Sequence, residues 1–207
     1  MKKKLTCCLA VILTLCFLPI QVFATSIQPR REFYVVMSLC AIEPNWGFDS
    51  NSSVLGHAFL TFHNESDFTI RVGHMSVPAG DSITIGTFPK TAHDGIWYNI
   101  EAYEQPSNVY ALEYVLTETE LEQVNTRINS HNSYNVLTDN CTHFACGIWN
   151  ATVSNNLRVA TGQPQWVVDD IQAKNNYFSN YQLPRKSSSS VAYHTVSGVT
   201  YNSSAVS

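Results

Sequence analysis

The sequence has few charged residues and no excess of basic ones. Only 14% of its 207 residues are charged, and 12 Lys and Arg stand against 16 Asp and Glu, a formal net charge of −4. A partner held through its phosphates, such as a nucleic acid, is therefore not expected. The 12% aromatic content excludes an acidic disordered chain, and the length fits one globular domain.

Metal-binding spacings are also missing, since no CxxC or HExxH pattern occurs. A structural zinc site built on His57, His74 and Cys141 would need a fourth ligand, for which His63 and His143 are the candidates. We therefore expect neither a metal nor another cofactor.

The N-terminus has the three parts of a secretory signal peptide. Lysines at positions 2–4 precede an apolar segment at 9–18, and Val22 and Ala24 are small residues suited to a cleavage site. The apolar segment is about half of the roughly 20 residues that a membrane span needs. We predict that residues 1–24 are removed, that the protein is secreted, and that no stable membrane insertion follows.

Cleavage would change both the charge and the cysteine count. The remaining chain would carry nine basic and sixteen acidic residues, a net charge of −7. It would keep three of the six cysteines, Cys40, Cys141 and Cys146. An odd number leaves at least one thiol unpaired within the chain, and a Cys40–Cys146 disulfide is the one pairing that leaves Cys141 free.

Residues 25–183 are predicted to form one α+β domain, with an antiparallel β-sheet packed on a few helices. The predicted strands are Glu32–Ile42, Val54–His63, Phe68–His74, Ser82–Phe88, Ile96–Tyr103 and Val109–Leu116. The predicted helices begin at a Thr117–Glu120 capping box, near the capping residues Asp139 and Asn140, and near Pro164, the last running over Trp166–Lys174. Residues 184–207 are rich in Ser and Thr and predict a flexible tail.

Two segments carry residues suited to thiol chemistry. Gly56-His57-Ala58 lies on a predicted strand, and Cys141 follows Asn140 at a predicted helix start. A helix N-terminus favours a thiolate, because its N–H groups and about half a positive charge stabilise an anion. A nearby imidazole can take the thiol proton and return it to a leaving group. Each residue also fits a structural role, Cys141 in the core and His57 as a packing histidine.

A symmetric hairpin between Val54–His63 and Phe68–His74 would place a second histidine beside the first. In that register His57 and His74 face each other, with Cβ atoms roughly 5 Å apart. A polar group there would orient the His57 ring and fix its tautomer. A slip by one residue would pair His57 with Gly73 instead.

These motifs resemble those of the circularly permuted papain-like hydrolases. That group comprises the permuted branch of the NlpC-type peptidases, the lecithin–retinol acyltransferase-like proteins and the PPPDE deubiquitinase-like peptidases. The features in common are Gly56-His57-Ala58 on a strand, Tyr134, and the segment Asn140-Cys141-Thr142-His143-Phe144, with histidine before cysteine, the reverse of papain order. The resemblance covers about residues 54–150 and implies a permuted papain-like fold.

The resemblance implies roles for individual residues. Cys141 would be the nucleophile, His57 the base and His74 the residue that orients it, while Tyr134 would line the substrate-binding site. His143 also matches the motif, but two residues along a helix place it about 200° away from Cys141, so we interpret it as structural.

We therefore expect a secreted, cysteine-dependent hydrolase that cleaves an amide bond in a peptide or cell-wall peptide through a thioester intermediate. A lipid acyltransferase or phospholipase of the same fold is an alternative, suggested by the paired histidines. A non-catalytic secreted binding protein is a second alternative, and it predicts that Cys141 is buried, unreactive or in a disulfide.

Overall fold

The computed structural model describes residues 32–44, 56–131 and 134–202. The predicted signal peptide, residues 1–24, lies outside this part of the chain, and so does the end of the predicted tail. Across the described residues the protein is an α+β structure with a large antiparallel sheet, as the sequence predicts.

The structure has nine strands and four α-helices in its described part. The strands are β1 (Val35–Ile42), β2 (His57–Asn64), β3 (Ile70–Val72), β4 (Met75–Val77), β5 (Ser82–Lys90), β6 (His93–Tyr98), β7 (Tyr110–Leu116), β8 (Ala192–Thr195) and β9 (Gly198–Tyr201). The helices are α1 (Ile100–Glu104), α2 (Glu118–Ser130), α3 (Cys141–Thr152) and α4 (Pro164–Gln172). Seven strands form one sheet in the order β7-β1-β2-β5-β6-β8-β9, and β3 and β4 form a separate hairpin.

The sheet has two differently covered faces. Residues of β1 alternate between them, so that Leu39 packs under the helices while Cys40 points the other way. We call the first the helix face, since α3 and α4 pack on it. The second, called here the opposite face, is covered in part by Tyr181 and Leu183.

The predicted helices are present close to the expected positions. The Thr117–Glu120 capping box is formed at the start of α2, and the apolar residues at helical spacing, Leu121, Val124 and Ile128, are buried. The helix predicted near Asn140 is α3, and the short helix predicted after Pro164 is α4.

The predicted pairing of Val54–His63 with Phe68–His74 is wrong. β2 pairs with β1 and β5, and His57 lies opposite Ile42 of β1. The segment after β2 folds instead into the β3–β4 hairpin, where Gly73 has a φ of +57° in the turn.

The predicted flexible tail is also wrong for the residues that the structure describes. β8 pairs with β6, placing Tyr193 opposite Trp97, and β9 then pairs with β8. Val191 and Ala192 are fully buried. Thr, Val and Tyr have high β-propensity, and this uncharged segment forms two further strands of the sheet.

Within residues 32–44, 56–131 and 134–202, no helix has both the length and the apolar character needed to cross a membrane.

Candidate active site

Helix α3 places Cys141 at its first residue. Asn140 caps the helix, because its Oδ1 accepts hydrogen bonds from the backbone N–H groups of Thr142 (3.0 Å) and His143 (3.2 Å). The ring of His143 also bonds Asn140, at 3.0 Å from Nδ1 to Oδ1. The predicted cap is thus confirmed, and His143 contacts that cap.

His57 is held at the start of β2 by a glycine that the local geometry requires. Gly56 has a φ of +75°, and a Cβ there would lie 2.5 Å from the carbonyl oxygen of Ile42 and 3.0 Å from Cβ of Pro164. A larger residue would therefore push β2 away from β1 and from the start of α4. Gly56 thus allows His57 to lie close to β1 and α4, where it is only 3% exposed.

The side chains of His57 and Cys141 are hydrogen bonded to each other. Burial, the strongest influence, raises the pKa of the Cys141 thiol, but His57 lowers it by charge and hydrogen bonding. The backbone N–H groups of Ala58 and Thr142 lower this pKa further, and the net shift is downward. Burial likewise lowers the pKa of His57, but the charges and hydrogen bonds of Cys141 and Glu101 raise it to about 9. The pair therefore favours a thiolate facing an imidazolium.

A buried carboxylate, Glu101, orients the His57 ring from its other side. Nε2 of His57 lies 3.1 Å from Oε1 of Glu101, and the Glu101 side chain has no exposed surface. The second carboxylate oxygen accepts a hydrogen bond from the Thr84 hydroxyl at 2.7 Å. Since Glu101 occupies Nε2, Nδ1 is the ring nitrogen left for the sulfur of Cys141. Cys141, His57 and Glu101 thus form a catalytic-type triad.

The sequence interpretation missed Glu101 because it extended a strand over Ile96–Tyr103. The strand β6 ends at Tyr98, where Asn99 takes a left-handed conformation (φ 63°) that turns the chain into α1. Asn99 is held there by a 3.0 Å bond from its backbone N–H to the Thr84 carbonyl and a 3.1 Å bond from its amide to the Ser190 carbonyl. The sequence does not single out Glu101, because Glu104 stands three residues further along the same segment.

Alternate residues of β5, Thr84, Gly86 and Phe88, pack against the His57–Glu101 pair. Thr84 bonds Glu101, and the Phe88 ring lies 4.5 Å from the His57 ring, centroid to centroid. Between them stands Gly86, where an added Cβ would lie 2.2 Å from Oε1 of Glu101 and 2.9 Å from Nε2 of His57. The absence of a side chain at position 86 is what leaves room for this ion pair.

Tyr134 lies within electrostatic range of Cys141, and the structure places His74 elsewhere. Burial raises the pKa of Tyr134 to about 12, with further upward contributions from the charges of Cys141 and Asp94. His74 lies in the β3–β4 turn and stacks on His194, with ring centroids 4.5 Å apart. The predicted orienting role of His74 is thus corrected, since Glu101 occupies that position. The reason is the strand pairing, which puts β1 and β5 beside β2.

The other two predicted mature cysteines are free and buried. Cys40 lies on the opposite face of the sheet and Cys146 on the helix face, so the β-sheet separates them. Burial raises the pKa of both thiols, in contrast to Cys141. No group of three or more His, Cys, Asp or Glu side chains in the described ranges is arranged to hold a metal ion.

The Cys141 side chain is largely buried. Cys141 is 8% exposed, and a cavity of about 300 Å³ elsewhere, on the opposite face, is lined by His63, Glu113 and Tyr181 but by no member of the triad. This cavity therefore does not include the Cys141 site.

No protein-family model, no curated protein and no solved structure matches this chain.

Proposed function

We propose that the protein is a cysteine-dependent hydrolase that cleaves an amide bond in a peptide. The observation that carries this proposal is the hydrogen-bonded series Cys141–His57–Glu101, with the sulfur at the start of α3. A thiolate beside an imidazolium, oriented by a third group, is the arrangement that nucleophilic catalysis by cysteine needs. The order of His before Cys along the chain also supports a permuted papain-like enzyme.

In the first step the Cys141 thiolate attacks the carbonyl carbon of the amide and forms a C–S bond. The carbonyl oxygen becomes an oxyanion, for which the backbone N–H of Cys141, at the start of α3, is a suitable donor. As the C–N bond breaks, the His57 imidazolium gives its proton to the leaving amine. A thioester on Cys141 and a neutral His57 result.

In the second step a water molecule attacks the thioester carbonyl while His57 takes a proton from it. The C–S bond breaks, the carboxylic acid product leaves, and the thiolate–imidazolium pair is restored. Glu101 stabilises the imidazolium of the free enzyme and, by holding Nε2, keeps Nδ1 directed at the sulfur. Water is the only co-reactant.

The amide is preferred to a lipid ester because the paired histidines that suggested lipid chemistry are not together at this site. A cell-wall peptide is a candidate substrate only because the predicted signal peptide would export the protein. The 8% exposure of Cys141 is the one observation that favours a binding protein without turnover.

Hydrolysis in water enriched in ¹⁸O tests the proposal without a known substrate. The purified protein is incubated with a peptide library, with cell-wall peptides and, separately, with phosphatidylcholine vesicles. We expect new peptide carboxyl groups that carry ¹⁸O, detected by mass spectrometry, and a Cys141→Ala variant should produce none. Cys146→Ala, a buried cysteine of the same helix, is the matched control and should keep the activity.

Release of ¹⁸O-labelled fatty acid, with no peptide cleavage, would contradict the amide proposal in favour of the lipid enzyme. Absence of any labelled product with the folded protein would favour the binding protein.

A further inference from the structure

Three exposed apolar side chains lie on segments that are hydrogen bonded to the start of α3. Val136 is 54% exposed, Leu137 82% and Trp166 51%. Isolated exposed apolar residues are ordinary on a protein surface, whereas these three lie on the two segments that flank one helix start. We call this group, Val136, Leu137 and Trp166, the apolar rim.

Asn140, the residue before Cys141, ties both sides of the apolar rim to the nucleophile. Its amide nitrogen donates hydrogen bonds to the carbonyl oxygens of Val136 (3.1 Å) and Gly162 (3.3 Å). The Thr142 hydroxyl bonds the Gly162 carbonyl as well, at 2.9 Å. The turn that carries Val136 and the loop before α4 are therefore fixed to the first turn of α3.

The two parts of the apolar rim, the turn with Val136 and Leu137 and the start of α4 with Trp166, are each held in place by local contacts. The turn 135–139 is closed by backbone hydrogen bonds between Asn135 and Asp139, at 2.8 and 2.9 Å, with Leu137 near its tip. Turn tips usually carry Gly, Asn, Asp or Ser, so a leucine there is unusual. On the other side, Trp166 lies against Gly162, where an added Cβ would be 2.8 Å from the indole ring. The indole is thus held against the backbone while half of its surface stays exposed.

We propose that the apolar rim determines substrate specificity by binding a bulky apolar side chain next to the scissile amide. This inference rests on the proposed amide hydrolase. The occupant is one side chain of a peptide, because the rim consists of three side chains fixed to the residue before the nucleophile. Binding there removes exposed apolar surface from water, and the hydrogen bonds of Asn140 to Val136 and Gly162 link the rim to the residue before Cys141.

Three chloroacetamides that differ only in their apolar group test this proposal. Chloroacetyl-phenylalaninamide, chloroacetyl-glycinamide and N-decyl chloroacetamide each alkylate a thiolate with loss of chloride. Second-order rates at Cys141 are measured by mass spectrometry at pH 7 and divided by the rate of each reagent with glutathione. The rate of each variant is further divided by its own iodoacetamide rate.

We expect the phenylalanine reagent to react at least about 10-fold faster than the glycine reagent. Trp166→Ala and Leu137→Ser should each reduce this preference by about 3-fold or more. Tyr201→Ala removes another aromatic residue, 60% exposed in β9, and should leave the preference unchanged.

Equal rates for the phenylalanine and glycine reagents, or a preference that survives both substitutions, would overturn the inference. A decyl reagent that is the fastest, and that loses its advantage in Trp166→Ala, would assign the rim to an acyl chain and overturn it too.

A Cys141 that reacts with none of the reagents, iodoacetamide included, would contradict the proposed function. The inference is then decided by the indole N–H signal of Trp166 in NMR spectra. A shift on addition of N-acetyl-phenylalaninamide, absent with N-acetyl-glycinamide, would support it, and no shift would overturn it.

Discussion

Burial alone would keep the Cys141 thiol protonated, because a thiolate loses its hydration inside a protein. The opposing influences are local and specific: the His57 imidazolium and the backbone N–H groups of Ala58 and Thr142. Cys146, five residues further along the same helix, has no such partners among the causes of its shift, and burial raises its pKa. The thiol pKa values of Cys141 and Cys146 therefore shift in opposite directions because the two residues lie at different positions in α3.

At the residue scale, Gly86 is a position where one added methyl group would disturb the site directly. In Gly86→Ala the new Cβ would overlap Oε1 of Glu101 and Nε2 of His57, so the two side chains must separate. We expect the Cys141 thiol pKa to rise and its alkylation by iodoacetamide at pH 6 to slow by about 10-fold, the change in thiolate fraction for one pKa unit. Stopped-time alkylation followed by mass spectrometry measures this rate.

Gly147→Ala is the matched control for this substitution. Gly147 lies in α3, and an added Cβ meets no atom within 4 Å. Alanine should stabilise the helix by roughly 1 kcal/mol and leave the alkylation rate unchanged. If Gly86→Ala reacts as fast as the native protein, the buried ion pair does not activate Cys141.

At the scale of elements, the sequence predicted those that have a local signal. The capping box of α2 and the Asn140 cap of α3 depend on neighbours no more than three residues apart, and both predictions are confirmed. The pairing of β2 depends on which strands come beside it from distant parts of the chain. Local alternation carries no information about that choice, so a hairpin register that looked symmetric placed His74 wrongly.

The element β8 was missed for a similar reason. Its four residues, Ala192–Thr195, include no Val, Ile or Leu, and only the pairing with β6 shows that they continue the sheet. The contact from Asn99 to the Ser190 carbonyl links this C-terminal part to the turn before Glu101. The segment predicted as a tail thus supports the triad through this hydrogen bond and through a 3.0 Å bond from the Lys186 N–H to the carbonyl of Ala102 in α1.

The stability of β8 in the sheet should depend on pH, because β8 contains His194. Burial, with the charges of His74, His93 and His131, lowers the pKa of His194 to about 4. Its Nδ1 bonds the Tyr98 hydroxyl at 2.8 Å, and Tyr98 itself feels the charge of Arg71. The unfolded histidine binds a proton near its ordinary pKa of 6.5, whereas the folded one does not. Folded β8 therefore loses stability as the pH falls from about 6.5 to about 4, with no further loss from this group below that.

Hydrogen exchange of the β8 and β9 amides at pH 7 and pH 5 measures this effect, after correction for intrinsic exchange. We expect lower protection at pH 5 in the native protein and a smaller change in His194→Gln, which cannot titrate. His63→Gln, a histidine whose side chain is 42% exposed, should behave like the native protein. Equal protection at both pH values in the native chain would refute this role of His194.

At the scale of the whole molecule, the candidate site joins three distant parts of the sequence. His57 enters from β2, Glu101 from α1 and Cys141 from α3, and each is placed by the sheet or by a helix packed on it. The sequence was sufficient to select Cys141 and His57, because each stands in a local motif. Glu101 could be found only once the turn at Asn99 brought α1 back over Thr84.

The pH dependence of Cys141 alkylation tests the central claim, an activated thiolate, most directly. Iodoacetamide labelling is followed site by site from pH 5 to 9 in the folded native protein and in His57→Ala. A lowered thiol pKa predicts fast labelling of Cys141 well below pH 8, with Cys40 and Cys146 unlabelled, and a rate at pH 6 that falls by about 10-fold or more without His57. A Cys141 that stays unlabelled, or that reacts equally fast without His57, would contradict the account.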